Sequence, residues 1–246
     1  MSSARNATSR TGTAPTVVQP LPSTCQPHVL AANDVWRTYH RGAETIHALA
    51  GVSLTVNAGE ILGIIGRSGS GKTTFLNQVG CLDTPSRGRI TICGRDVIGM
   101  PERELVQFRR DHIGFIFQLF YLLPTLTAVE NVELPMIFAR EPDRRPRALD
   151  ALARVGLKQV NALPKQLNGG DMQRVAIARA LVRKPKLLLA DEPTGRLEHR
   201  SREAVMDVFR GLKADGLGII IVTHDPTLAA ETDRIIELRD GKVVEL

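Results

Sequence analysis

Aromatic side chains are scarce in this sequence, with two tyrosines, one tryptophan and seven phenylalanines in 246 residues. So few stacking platforms disfavour a surface that reads nucleic-acid bases. The net charge of +6 and the clusters Arg140, Arg144, Arg145, Arg147 and Arg183, Lys184, Lys186 would suit an anionic partner, but they read first as solvated faces. Cysteine is also rare: Cys25, Cys81 and Cys93 form no pairing or metal spacing and fit free thiols in a reducing cytosol. No apolar run approaches the roughly 18 residues that cross a bilayer. The first residues lack the pattern of a secretory signal. Residues 1–28, rich in Ser, Thr, Pro and Ala, read as a disordered tail. Any membrane role is then expected through a partner, with the chain cytoplasmic.

What is present is an alternation of short apolar runs and helical patterns. Strand character is expected at Val29–Trp36, Leu49–Val56, Ile61–Ile65 and Arg89–Cys93. Helical character dominates from about Glu102 to Lys184, with helices expected at Arg147–Val155 and Gly170–Arg183, so this block reads as a helical insertion. Strands are expected again at Leu187–Ala190 and Gly218–Val222, around a helix at Ser201–Ala214. The end of the chain reads as a hairpin, Arg234–Leu238 and Lys242–Leu246, turning on Asp240-Gly241. The expected fold class is α/β, with a mostly parallel sheet, an N-terminal antiparallel portion and a helical subdomain inserted at about 102–184.

Three segments carry chemistry. Gly66-Arg67-Ser68-Gly69-Ser70-Gly71-Lys72-Thr73 matches the P-loop pattern without a mismatch, between a buried strand and a helix. Its glycines let backbone N–H groups turn inward as an anion nest, with Thr74 the next residue of the contact set. Lys72 is expected to reach the β- and γ-phosphates, and Thr73 to offer a hydroxyl to Mg²⁺. Leu187-Leu188-Leu189-Ala190-Asp191-Glu192 delivers two acids to a strand end. Asp191 is placed to hold Mg²⁺, and Glu192 to orient or deprotonate the attacking water. His224 closes a third apolar strand, where an imidazole can meet a γ-phosphate.

Together these residues resemble the ABC transporter ATPase family over nearly all of 29–246. Leu167-Asn168-Gly169-Gly170-Asp171-Met172-Gln173-Arg174 is similar to that family's signature, a Gly-Gly helix start that contacts the ATP held by an opposing subunit. The resemblance implies ATP and Mg²⁺ as ligands, a second ATPase subunit (identical or not) and a membrane permease as partners, and no nucleic acid. It places the chain peripherally on the inner face of the cell membrane. It also assigns Gln118 to a loop that senses Mg²⁺ and the permease, and Tyr39 to adenine stacking. The run Ile113–Val132 resembles the lipoprotein-releasing and macrolide-exporting members.

Three positions depart from the family pattern: Asn168 where serine is usual, Asp171 where glutamine or glutamate is usual, and Glu198 where aspartate is usual. They keep a second reading open, a hydrolysis-impaired regulatory ATP-binding subunit of a heterodimeric complex. The apolar segment Leu119–Pro124 is expected to combine local core with a groove for a permease helix.

Overall fold

The computed structural model describes residues 28–42 and 44–245. The tail expected at 1–28 therefore lies outside the described residues, except for His28, which opens the first strand.

The first half of the fold is an antiparallel sheet. Strands β1 (His28–Arg41) and β2 (Glu44–Asn57) pair along most of their length. Strand β4 (Arg87–Ile92) pairs β1, and β5 (Arg95–Asp96) pairs β4, in the order β2-β1-β4-β5. Both long strands run further than the sequence pattern indicates, β1 as far as Arg41 and β2 from Glu44. Their outer ends are exposed, so hydrophobic alternation fades there while the ladder continues.

The second sheet has the order β10-β9-β3-β8-β7-β6. Strands β3 (Ile61–Ile65), β6 (Ile113–Ile116), β7 (Leu187–Asp191), β8 (Gly218–Val222) and β9 (Arg234–Arg239) run parallel. Every residue of β8 and the first four residues of β3 and β7 are buried, as expected for a sheet covered on both faces. Strand β10 (Lys242–Glu245) returns antiparallel to β9 through Asp240 and Gly241, both at positive φ (49° and 73°), the hairpin expected from the sequence. That turn locks the two sheets to the phosphate loop. Gly241 N–H donates to the Ser70 carbonyl, and Ala50 N–H donates to the Gly241 carbonyl.

Helix α1 (Lys72–Val79) follows β3. Helices α2 (Glu102–His112), α3 (Ala128–Phe138), α4 (Arg144–Arg154) and α5 (Gly169–Leu181) fill the middle of the chain. Helix α6 (His199–Ala214) follows β7, and the short α7 (Pro226–Ala229) follows β8. One strand interrupts the stretch read as helical. β6 runs straight on from α2 without a turn residue and pairs β7 from Ile113↔Leu187 to Ile116↔Ala190. Its four residues are too few for a periodic signal, and neighbouring helical patterns hide it. Helix α3 starts with a capping box, Thr127 and Glu130 exchanging side-chain and backbone bonds. One apolar cluster joins α3, α4, α5 and α6 to one face of the parallel sheet. A second lies between the other face, α1 and the antiparallel sheet.

Candidate active site

The carboxyl ends of β3, β7 and β8 meet at one cleft of about 540 Å³. It is lined by Ala48, Ser68, Gly69, Gly71, Lys72, Thr73, Thr74, Gln118, Asp191, Glu192 and His224. Ligands in open α/β sheets collect at this edge, because strand ends and helix N-termini converge there.

The loop Gly66–Gly71 is already wound around its lysine. The Lys72 ammonium donates to the Gly66 and Arg67 carbonyls at 2.7 and 2.9 Å. Gly71 precedes α1 at φ 102° and ψ 0°, and no side chain caps the helix start. A Cβ on Gly71 would collide with the Ala48 carbonyl oxygen, so both conformation and space demand glycine there. The first N–H groups of α1 thus face the cleft without an intrachain side-chain acceptor.

Asp191 ends β7, half-buried beside Thr73. Burial pushes its carboxyl above the usual range and the neighbouring Glu192 charge pushes the same way, while Lys72 and the Thr73 hydroxyl pull it back. Glu192 adopts φ 47°, a left-handed conformation rare for a glutamate, and its N–H donates to the Val222 carbonyl at 2.8 Å. That conformation swings the carboxylate onto the end of β8. Oε1 accepts from the His224 backbone N–H at 2.8 Å and lies 2.6 Å from His224 Nδ1. Oε2 accepts from the Thr223 hydroxyl at 3.0 Å. Thr223 is fully buried and is the residue sequence reasoning missed. The signal was its place beside His224 at an apolar strand end, a position from which a hydroxyl can orient an acid. Gln118 reaches the cleft from the loop after β6. Gly195 lies beside it, where a Cβ would make only ordinary contact, 3.6 Å from Gln118 Nε2.

Two predicted groups lie off the cleft lining. Tyr39, 40% exposed on β1, donates from its hydroxyl to Asp83 at 3.1 Å. One face of its ring carries the Arg37 guanidinium, 4.6 Å from the centroid. The Asn168–Asp171 segment starts α5 and does not line the cleft of its own chain. Asn168 caps that helix. Its Oδ1 accepts from the Asp171 N–H at 2.8 Å, and its Nδ2 donates to Asp171 Oδ2 at 2.9 Å. Arg174 pairs with the other Asp171 oxygen at 3.1 Å. Gly170 packs onto α6, where a Cβ would lie 2.8 Å from Ser201 Oγ.

A phosphate-loop cleft backed by an acidic strand end, beside a separate Gly-Gly helix tip, defines a P-loop nucleotide-hydrolase architecture. The model of the family described as ABC transporter matches residues 49–195. The chain is 47% identical over 219 residues to YvrO of Bacillus subtilis, described as an uncharacterized ABC transporter ATP-binding protein. That match covers 88% of this chain and 96% of YvrO. It is also 47% identical over 219 residues to the macrolide export ATP-binding/permease protein MacB 1 of Yersinia pestis, of which it spans only 34%. Among solved structures, the dimeric ABC transporter cassette MJ0796 superposes with a TM-score of 0.79 at 45% identity, covering 87% of this chain and 96% of that one. CbiO1 of Clostridium perfringens, part of the cbiONQ complex, superposes with a TM-score of 0.80 at 27% identity, covering 89% and 88%. The chain belongs to the ABC transporter family, as its ATP-binding ATPase subunit.

Proposed function

We propose that two ATPase subunits pair head to tail over two ATP molecules and drive a separate membrane permease. The observation that carries the pairing is the split site. Lys72, Gln118, Asp191, Glu192 and His224 share one cleft, and the Asn168–Asp171 tip of the same chain does not line it. A second subunit is then needed to close each triphosphate. MJ0796 has been solved as a dimer, and in a post-hydrolysis state with ADP and phosphate. The relative MacB 1 carries ATP-binding and permease parts in one chain, of which this chain matches about a third. Among the described residues no helix is long and apolar enough to cross a membrane. We assign the permease to another chain and this subunit to its inner face, a reading supported by the likeness to YvrO, an ABC transporter ATP-binding protein of which this chain covers 96%.

In this reading the phosphate loop and the α1 N-terminus hold the α- and β-phosphates, and Lys72 bridges to the γ-phosphate. Glu192, held by Thr223 and His224, takes a proton from the attacking water, and His224 presents its exposed ring to the γ-phosphate. The free face of the Tyr39 ring stacks on adenine. Mg²⁺ fits the donors present. The Thr73 hydroxyl, the Asp191 carboxylate and the Gln118 amide are hard oxygen donors. No cluster of three acidic, histidine or cysteine side chains able to hold a metal alone is found among the described residues, so binding depends on nucleotide oxygens as well. When bound, the ion neutralises charge on the transferred phosphoryl group.

The permease contact is assigned to a second groove of about 520 Å³, lined by Leu82, Val106, Phe117 and Tyr121 with Arg109 and Arg183. Within Leu119–Pro124, Leu122 packs on the helical core and Leu119, Tyr121 and Leu123 are exposed. Phe120 is half-buried and does not line that groove, whereas Tyr121 does and is the exposed aromatic offered for docking.

A specific observation favours slowed hydrolysis as a second reading. A serine hydroxyl at the tip would accept from the helix and still donate outward. The Asn168 amide commits one of its two N–H donors to Asp171, and its planar, bulkier group takes the place of that freely rotating hydroxyl. Glu198, the N-cap of α6, makes no side-chain cap bond, as expected of a side chain one methylene longer than aspartate.

The decisive experiment is Glu192→Gln. ATP turnover falls about 10²–10⁴-fold, the range of a lost general base, while an ATP-dependent dimer accumulates in size-exclusion chromatography. Unchanged turnover removes Glu192 from the mechanism, and a chain that stays monomeric with ATP removes the shared site.

A further inference from the structure

Helix α5 carries the Asn168–Gly170 tip at its start and, about three turns and ~16 Å further along, Arg179. The Arg179 guanidinium donates from Nη1 to the Tyr121 carbonyl at 2.6 Å and from Nη2 to the Phe120 carbonyl at 2.7 Å. Both carbonyls belong to the loop that leaves β6 through Gln118. Burial lowers the proton affinity of this guanidinium, and among the described residues no carboxylate pairs with it. Its charge is met by two backbone oxygens, an arrangement that costs desolvation and is kept only where the geometry is strongly supported. Tyr121 stands at φ 48°, which an aromatic side chain rarely adopts, so the loop's shape is imposed from outside. The same loop is fixed at its far end by Asn131 of α3. This fully buried amide accepts from the Leu123 N–H and donates to the Leu123, Leu126 and Thr127 carbonyls.

We propose that Arg179 is a positioning residue that joins the Gln118-bearing loop and the Asn168–Gly170 tip into one moving body, with α5 as the rod between them. Two parallel N–H donors on a planar fork fix angle as well as distance, which a single ammonium cannot do. A push on the loop by a docked permease then displaces the tip, and a loop freed from Arg179 leaves the tip uncoupled from Gln118.

The test uses the full chain as Arg179→Lys, with Arg179→Ala as a harsher companion. Amide hydrogen exchange without nucleotide should rise about tenfold both at 120–123 and at the tip, 169–172, the size expected for one lost charge-assisted bond. ATP turnover should lose about tenfold in kcat with a smaller change in KM for ATP, because the phosphate loop keeps its place while Gln118 and the tip lose their common brace. Faster exchange confined to 120–123, with the tip and kcat as in the parent, would make Arg179 a local brace and overturn the proposal. Full retention of kcat and tip protection by lysine would overturn the need for a fork. Should the alanine variant fail to fold, the lysine variant decides, provided its thermal midpoint stays near that of the parent. The kinetic arm rests on the paired-subunit reading and the exchange arm does not. A parent chain without turnover sinks that reading alone, and tip protection that ignores Arg179 sinks this inference alone.

Discussion

Helices α1 and α5 both start beside a glycine, Gly71 just before α1 and Gly169 as the first residue of α5, yet their N-termini are built in opposite ways. The start of α1 is bare. Gly71 sits in a left-handed conformation, no side chain caps it and no acid stands in its first turn. The start of α5 is already satisfied within the chain. Asn168 accepts from the Asp171 N–H, and Asp171, the acid of the first turn, is neutralised by Arg174. A bare helix start is unstable unless a ligand completes it, so α1 is shaped for an anion at the expense of the free protein. A self-capped start stabilises the helix before any partner arrives and gives up part of its pull on a phosphate. The chain thus holds one strong anion site of its own and offers a weakened one across the proposed dimer.

The largest expected effect falls on the bare end. Gly71→Ala places a Cβ against the Ala48 carbonyl at φ 102°, which should cost about 3 kcal/mol of stability and abolish ATP binding. Thermal unfolding and nucleotide titration check both, and a variant that binds ATP normally would break the contrast. The next effect tests the weakened end. Restoring Asn168→Ser, Asp171→Gln and Glu198→Asp together should raise ATP turnover by roughly tenfold, within the hundredfold that a misplacement of order 1 Å can cost. No gain would mean that the self-capped tip is harmless. Smaller again is Asn168→Ala, which removes the cap and should lower stability by about 1 kcal/mol in denaturant unfolding. A change near zero would show that the cap contributes nothing.

The smallest effect concerns protons. The folded chain raises the Asp191 carboxyl above its unfolded value, so the folded state binds more protons there. That group's contribution to stability is therefore favourable at low pH and declines as pH rises through its titration. Nucleotide with a divalent cation favours the carboxylate, so binding at about pH 5 should release a fraction of a proton and at about pH 8 none. Calorimetry in buffers of different ionisation enthalpy measures this. Equal release at both values would assign the proton to another group.

Much of the architecture follows from local pattern. The phosphate loop, the acidic end of β7 and the Asp240-Gly241 hairpin are contiguous in sequence and sit where their patterns place them. The strand β6 did not announce itself, because four residues between helices carry no period and its partner β7 lies more than seventy residues away. Helices α2 and α3 were likewise folded into a general helical character, since each buries only part of its surface. The sequence shows His224 as a polar residue at a strand end. It does not show that His224 and Thr223 close on Glu192, because that contact depends on the left-handed turn at Glu192 and on the β7–β8 register.

By itself, then, the sequence determined the chemistry available: which residues can wrap phosphate, carry an acid or start a helix, since these properties reside in side chains and short-range backbone geometry. The tertiary structure alone decided who meets whom. It placed Gln118 with Asp191, tied Tyr39 to Asp83 off the cleft lining, and turned Asn168 inward onto Asp171. Those outcomes depend on strand order, helix packing and competition among hydrogen-bond partners distant in the chain, and no local pattern records them.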